Sequence, residues 1–247
     1  MFKPAVLLAT VGVSVAAMVP APAEAHAACQ LPVFGPGSRY HPKFERSRHT
    51  ADVTNPWFPL KPRRTLVSTG VKDGKKALDV VVITPRTKLV AGVLTRVVED
   101  RLYLDRVLAE RTSDYYAQDR CGNVWYFGED TAELDSHGRV VSTEGSFHAG
   151  VDGAQAGVFM QARPQLGRKF RQEWYAGEAE DVFWAVERHA TVTVPYRTFR
   201  NALRTVETTA LEPDVVDNKY YVRGIGPVAE LSVRGPAERL VLVKVMP

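Results

Sequence analysis

The sequence predicts a mainly β protein, a curved antiparallel sheet or barrel (closed or half-closed) built as a meander with two similar halves. Three observations carry this. Short runs rich in Val, Ile, Thr and aromatic residues recur along the chain, bounded by Gly, Pro, Asp and Asn. The stretch 108–131, LAERTSDYYAQDRCGNVWYFGEDT, alternates with a period of two before a turn and offers a returning strand after it. The same texture then repeats: 216–222 echoes 111–117, and 202–207 echoes 93–99, each with a glycine turn to follow.

The first residues set the compartment. Lys3 precedes an apolar run over 5–19, and Ala23-Glu24-Ala25 or Ala25-His26-Ala27 offers small residues for cleavage, so residues 1–25 read as a signal peptide. The run falls short of the roughly 20 apolar residues of a spanning helix, and no later stretch approaches it. The expected product is secreted or otherwise extracytoplasmic and not membrane-spanning. Residues 26–54 are polar, rich in Pro, Gly and His, and without a period, as expected of an extended or partly disordered arm. Residues 55–247 read as a single β-barrel-like domain. Cys29 and Cys121 are the two cysteines, and an even pair outside the cytoplasm reads as one disulfide. The competing reading makes Cys29 a lipid anchor after Ala27-Ala28, although His26 stands where that signal wants an aliphatic residue.

Taken in order, Asn55-Pro56-Trp57-Phe58-Pro59-Leu60-Lys61-Pro62 keeps the backbone extended and presents apolar area suited to plugging one end of a barrel. Runs at 65–69 and 78–84 flank Asp73-Gly74, a hairpin signal. Strands are expected over 88–99 and 102–105, then over the central hairpin, whose 119–123 segment DRCGN is the turn. Further short strands follow at 132–134 and 139–143. Dense Gly, Ala and Pro over 145–167 predict a long loop with one short helical turn. A strand is expected over 168–175, and a long strand, in preference to a helix, from 178 to 194. The final strands are 227–233 and 240–245, the last closing the sheet.

The net charge of +4 is mild but uneven. Residues 39–76 hold ten Lys or Arg against three acidic residues, whereas 99–135 hold ten acidic residues against four Arg. The asymmetry suits docking of the basic segment onto the acidic hairpin or onto an anionic envelope polymer; the plainer reading is two solvated faces. Nucleic acid is not an expected partner of a secreted chain without a basic motif of known geometry.

Catalytic signatures are missing: no GxSxG, HExxH, Walker loop or CxxC is present. Gly224, Gly226 and Ala229 have dinucleotide spacing, but Pro227 and β-branched flanks deny the helix that would hold a pyrophosphate. No cofactor is implied. The histidines show no paired spacing, so no metal is assigned; Asp114, Asp119, Asn123, Glu129 and Asp130 offer oxygen ligands for calcium but match no known loop, and solvated turn carboxylates are the plainer reading. The best lead is a cavity lined by Tyr116, Trp125, Phe127, Trp174 and Tyr221, with Glu110, Asp114, Glu129, Glu144 and Glu173 among its polar groups. Burial would raise the pKa of any carboxyl pointing inward. The bland alternative is a barrel filled by its own side chains.

The phrases NPWFPLKP, DYYAQDRCGNVWYFGE and NKYYVRGIGPVAEL resemble those of a group of uncharacterised secreted bacterial β-rich proteins, from about Asn55 to the C-terminus and most specifically over Gly122 to Glu129. The final strand pair is similar to periplasmic proteins with a tyrosine before a glycine-rich turn. The resemblance implies a curved or half-closed barrel like the lipid carriers of the envelope, and no activity. The group has Pro-Gly after Leu60, where this chain has Lys61-Pro62. The expected function is noncatalytic binding of an apolar or amphipathic small molecule or an envelope component. The alternatives are a barrel isomerase or cyclase using paired carboxylates, which requires two of those carboxylates to converge on a pocket, and a structural or interaction domain without a ligand.

Overall fold

A computed structural model describes residues 30–247. The proposed signal peptide and Cys29 lie outside the described residues, and with Cys29 the predicted bridge to Cys121 and the lipid-anchor alternative. The strands are β1 (His49–Thr50), β2 (Thr65–Lys72), β3 (Lys75–Val90), β4 (Val93–Leu104), β5 (Val107–Asp119), β6 (Val124–Leu134), β7 (Val140–Ser142), β8 (Phe147–His148), β9 (Gln155–Met160), β10 (Lys169–Arg171), β11 (Glu173–Trp174), β12 (Asp181–Val194), β13 (Arg197–Thr209), β14 (Val216–Val222), β15 (Gly226–Arg234) and β16 (Glu238–Met246).

Thirteen strands follow one antiparallel hydrogen-bonded path, β10-β12-β13-β14-β15-β16-β2-β3-β4-β5-β6-β9-β11, with β1, β7 and β8 attached off it. The sheet curls into a nearly closed barrel with one unsealed seam. Strand β16 joins β15 to β2 and so unites the two ends of the chain, but the ring comes together elsewhere. Residues 169–174, expected as one strand, change partner at Gln172: β10 pairs with β12 and β11 pairs with β9. Gly157 permits this, since a Cβ there would lie 2.3 Å from the Gln172 carbonyl oxygen.

Turn chemistry explains the meander. Asp73 and Gly74 both have positive φ, 53° and 75°, the geometry whose twist matches a two-residue hairpin. Ala91-Gly92 and Asp105-Arg106 adopt the same geometry with non-glycine residues at three of the four positions, which hides them in the sequence. Strand β3 therefore runs unbroken through Pro85, which falls in a register shift between Ile83 and Thr87 where the ladder makes no demand on its missing N–H. The expected loop over 145–167 contains β8 and β9, because Phe147, Ala156, Val158 and Met160 are buried against the sheet.

Two apolar layers result. One fills the inside of the curl and includes Phe58, Leu60, Ile83, Tyr116, Tyr126 and Tyr221. The other lies outside it, where Trp125 and Phe127 pack under the arm against Phe44 and Leu31. The arm is ordered by these contacts: Phe44 sits edge-on to Phe127 at 5.2 Å, and His49 pairs in register with Asp119.

Candidate functional site

Alternation along β5 puts Glu110, Thr112, Asp114 and Tyr116 on the inner face. The facing strand β6 achieves the same only through a bulge. Tyr116 pairs with Tyr126, but Tyr115 pairs with Gly128, so Phe127 is the extra residue. Plain alternation would put Glu129 on the face of Trp125 and Phe127; the bulge returns it to the inside, opposite Asp114. Gly128 allows the bend, since a Cβ there would approach the Phe147 carbonyl oxygen to 2.5 Å.

These residues face a cavity of about 310 Å³. At its apolar end Phe58 and Leu60 of the NPWFPL segment close the curl. The Tyr116 and Tyr126 rings stack at 4.7 Å, and Phe58 and Phe159 stand against Tyr116 at 5.1 and 4.9 Å. The next inward residues are acidic. The Tyr126 hydroxyl donates to Asp114 Oδ1 at 2.5 Å. Burial holds the Asp114 carboxyl up at about 7 and that of Asp181 up at about 6. Glu129 and Glu173 are also raised, first by burial and then by neighbouring carboxylates. Asp79 and Asp100, both half-buried, interact with each other and both are raised by desolvation.

Across the cavity, the echo of β5 in β14 is structural. The ladder shifts at Tyr220-Tyr221, as it does at Tyr115-Tyr116. Lys219 thus occupies the place of Asp114, and Glu230 that of Glu129. Lys219 Nζ lies 2.8 Å from Glu207 and 3.3 Å from Glu230, and Tyr221 donates to Glu207 at 3.2 Å. Burial works against the ammonium, but these two carboxylates outweigh it and raise its pKa. A quarter of the Lys219 side chain remains exposed, on the cavity wall.

Of the residues singled out in the sequence, Asp114, Tyr116, Glu129, Glu173 and Tyr221 line this cavity. The other five do not. Trp125 and Phe127 face outward under the arm, as their shared parity requires. Trp174 packs on Gly37, where a Cβ would meet its ring at 2.0 Å. Glu144 is exposed in the turn after β7. Glu110 points inward but lies beyond the cavity, bonded to Thr112 at 3.2 Å. Phe58 lines the cavity from the segment expected to plug the barrel, whereas Phe159, Tyr126 and Lys219 are not among the residues the sequence singles out; laying Lys219-Tyr220-Tyr221 over Asp114-Tyr115-Tyr116 finds the lysine.

The oxygen groups considered for calcium are dispersed. Asp119 is spent on the hairpin turn, accepting from the Cys121 and Asn123 amides, Asn123 Nδ2 and Trp125 Nε1. Asp130 faces outward, bonded to Tyr115, Lys88 and His148. No group of three or more His, Cys, Asp or Glu side chains among the described residues could hold a metal.

No protein-family model and no curated protein matches the chain. Two solved structures are similar to it: a candidate exported protein with a YmcC-like fold from Bacteroides fragilis and a candidate lipoprotein from Parabacteroides distasonis. The first has a TM-score of 0.44 at 11% identity, over 77% of this chain and 99% of that one. The second has a TM-score of 0.40 at 8% identity, over 77% and 98%. Similarity at this level carries no argument about what this chain does. No helix among the described residues is long and apolar enough to cross a membrane.

Proposed function

We propose that the protein is an extracytoplasmic β-domain that binds an amphipathic small molecule inside its curl. One observation carries the reading: the inside is a cavity of about 310 Å³, apolar at one end and carboxyl-rich at the other. That volume is at the lower bound of ligand pockets, roughly 300–1,000 Å³. A barrel filled by its own side chains would offer no such space, which also counts against a domain without a ligand. Phe58, Tyr116 and Phe159 would hold the apolar part, and Asp114 and Glu129 the polar part. Secretion rests on residues 1–25, and the envelope-carrier likeness on the sequence phrases alone. Native mass spectrometry of protein purified from its source tests the reading: a copurifying small molecule is expected, and no such molecule together with no binding of an apolar fluorescent probe would overturn it.

A second reading keeps its footing on one observation, the convergence of Asp114, Glu129 and Glu173 on the cavity. With the Asp114 carboxyl raised to about 7, a proton at that atom can move to or from a bound molecule near neutral pH. An isomerase or cyclase would convert the copurified molecule without change of mass, and Asp114→Asn would abolish the conversion; recovery of the molecule unaltered ends this reading.

A further inference from the structure

We propose that the occupant of the cavity carries a positive charge, an amine or quaternary ammonium head on an apolar body. This rests on the cavity-binding reading above. Seven carboxyl side chains line the space against one cation, Lys219. That lysine is already held by Glu207 and Glu230, so its charge is spent at one wall. Among the described residues Asp79, Asp100, Asp114, Glu129, Glu173 and Asp181 make no ion pair. These carboxyls share one space and repel one another when ionised, and an entering cation is the group that offsets several of them at once.

The Tyr116 side chain supplies an independent sign. The residue is 5% exposed and lines the cavity, and its hydroxyl, which makes no hydrogen bond to the described residues, is open to that space. It sits one inward position from Asp114, beside the face of Tyr126 stacked at 4.7 Å. An ammonium there meets a hydroxyl acceptor and the carboxyls of Asp114 and Glu129. Its apolar body would lie toward Phe58, Leu60 and Phe159.

Proton linkage gives the inference a second edge. The groups facing Asp114 are Tyr126 and Glu129 from β6, Asp100 from β4, Glu110 and Tyr116 from β5, and Lys219 from β14. Their carboxyls are raised by burial, so a cation binds in exchange for protons and its affinity rises with pH.

The test is calorimetric titration of the purified protein with decylamine, decanol and decanoate at pH 5 and pH 8. Decylamine is expected to bind at least about tenfold more tightly than decanol at pH 8, one pKa unit's worth of interaction, with decanoate weakest and the amine's advantage reduced at pH 5. The double variant D114N/E129Q should lose the preference of amine over alcohol, with a retained cooperative thermal transition showing that it still folds. Equal binding of amine and alcohol, or a preference for decanoate, overturns the charge assignment and leaves the cavity reading intact; failure of all three ligands overturns both.

Discussion

Asp119 shows how one side chain can fix a hairpin. It is 6% exposed and accepts from four donors around the turn, among them the indole of Trp125. Asp119→Ala orphans these donors, and a loss of about 3 kcal/mol or more is expected in urea denaturation. Asp114 acts in the opposite sense, as a buried acid at its own expense. Its pKa is about 7 when folded against 3.8 as its ordinary value, so between these pH values the folded protein binds more protons than the unfolded one. Stability then falls as pH rises through that window and levels off above it. Thermal unfolding should show a lower Tm at pH 8 than at pH 5, and D114N, which cannot ionise, should shrink that difference; an equal or larger difference would contradict the assignment of the titration to this residue.

At the scale of elements, two glycines decide the shape. Gly157 lets residues 171–172 lie against β9 and so bring the curl round. Gly157→Ala, whose Cβ would sit 2.3 to 2.4 Å from backbone atoms of that segment, is expected to destabilise by about 1–3 kcal/mol. It should also speed hydrogen exchange at 169–174 more than at β4 or β5, a pattern that a uniform loss of stability would not produce. Gly128 sets the parity of β6. The inner face of β5 was legible from alternation alone, because no bulge interrupts that strand between Glu110 and Tyr116. Alternation puts Trp125, Phe127 and Glu129 on one face, and only the bulge at Phe127 turns Glu129 inward while the two rings stay outside. Strands β8 and β9 were hidden because Gly, Ala and Pro dominate the composition around them, while their pairing to β6 is a tertiary matter.

For the molecule as a whole, the sequence carried the class of fold but not the place where the ring meets. Closure depends on a six-residue stretch with partners on both sides, and nothing local distinguishes such a stretch from an ordinary strand. The echo between Tyr115-Tyr116 and Tyr220-Tyr221 was visible, and its consequence is chemical: corresponding inward positions hold an acid pair on one wall and a lysine with a glutamate on the other. The cavity lies between those walls, and whether it takes a ligand is the claim on which the account stands. The most direct measurement is a crystal structure with a terminally brominated decylamine, locating bromine by its anomalous signal. A peak is expected inside the curl between Phe58, Tyr116 and Phe159, with the nitrogen toward Asp114 and Glu129. Bromine found only outside the curl, under the arm beside Phe44 and Trp125, or no bromine at all, would contradict it.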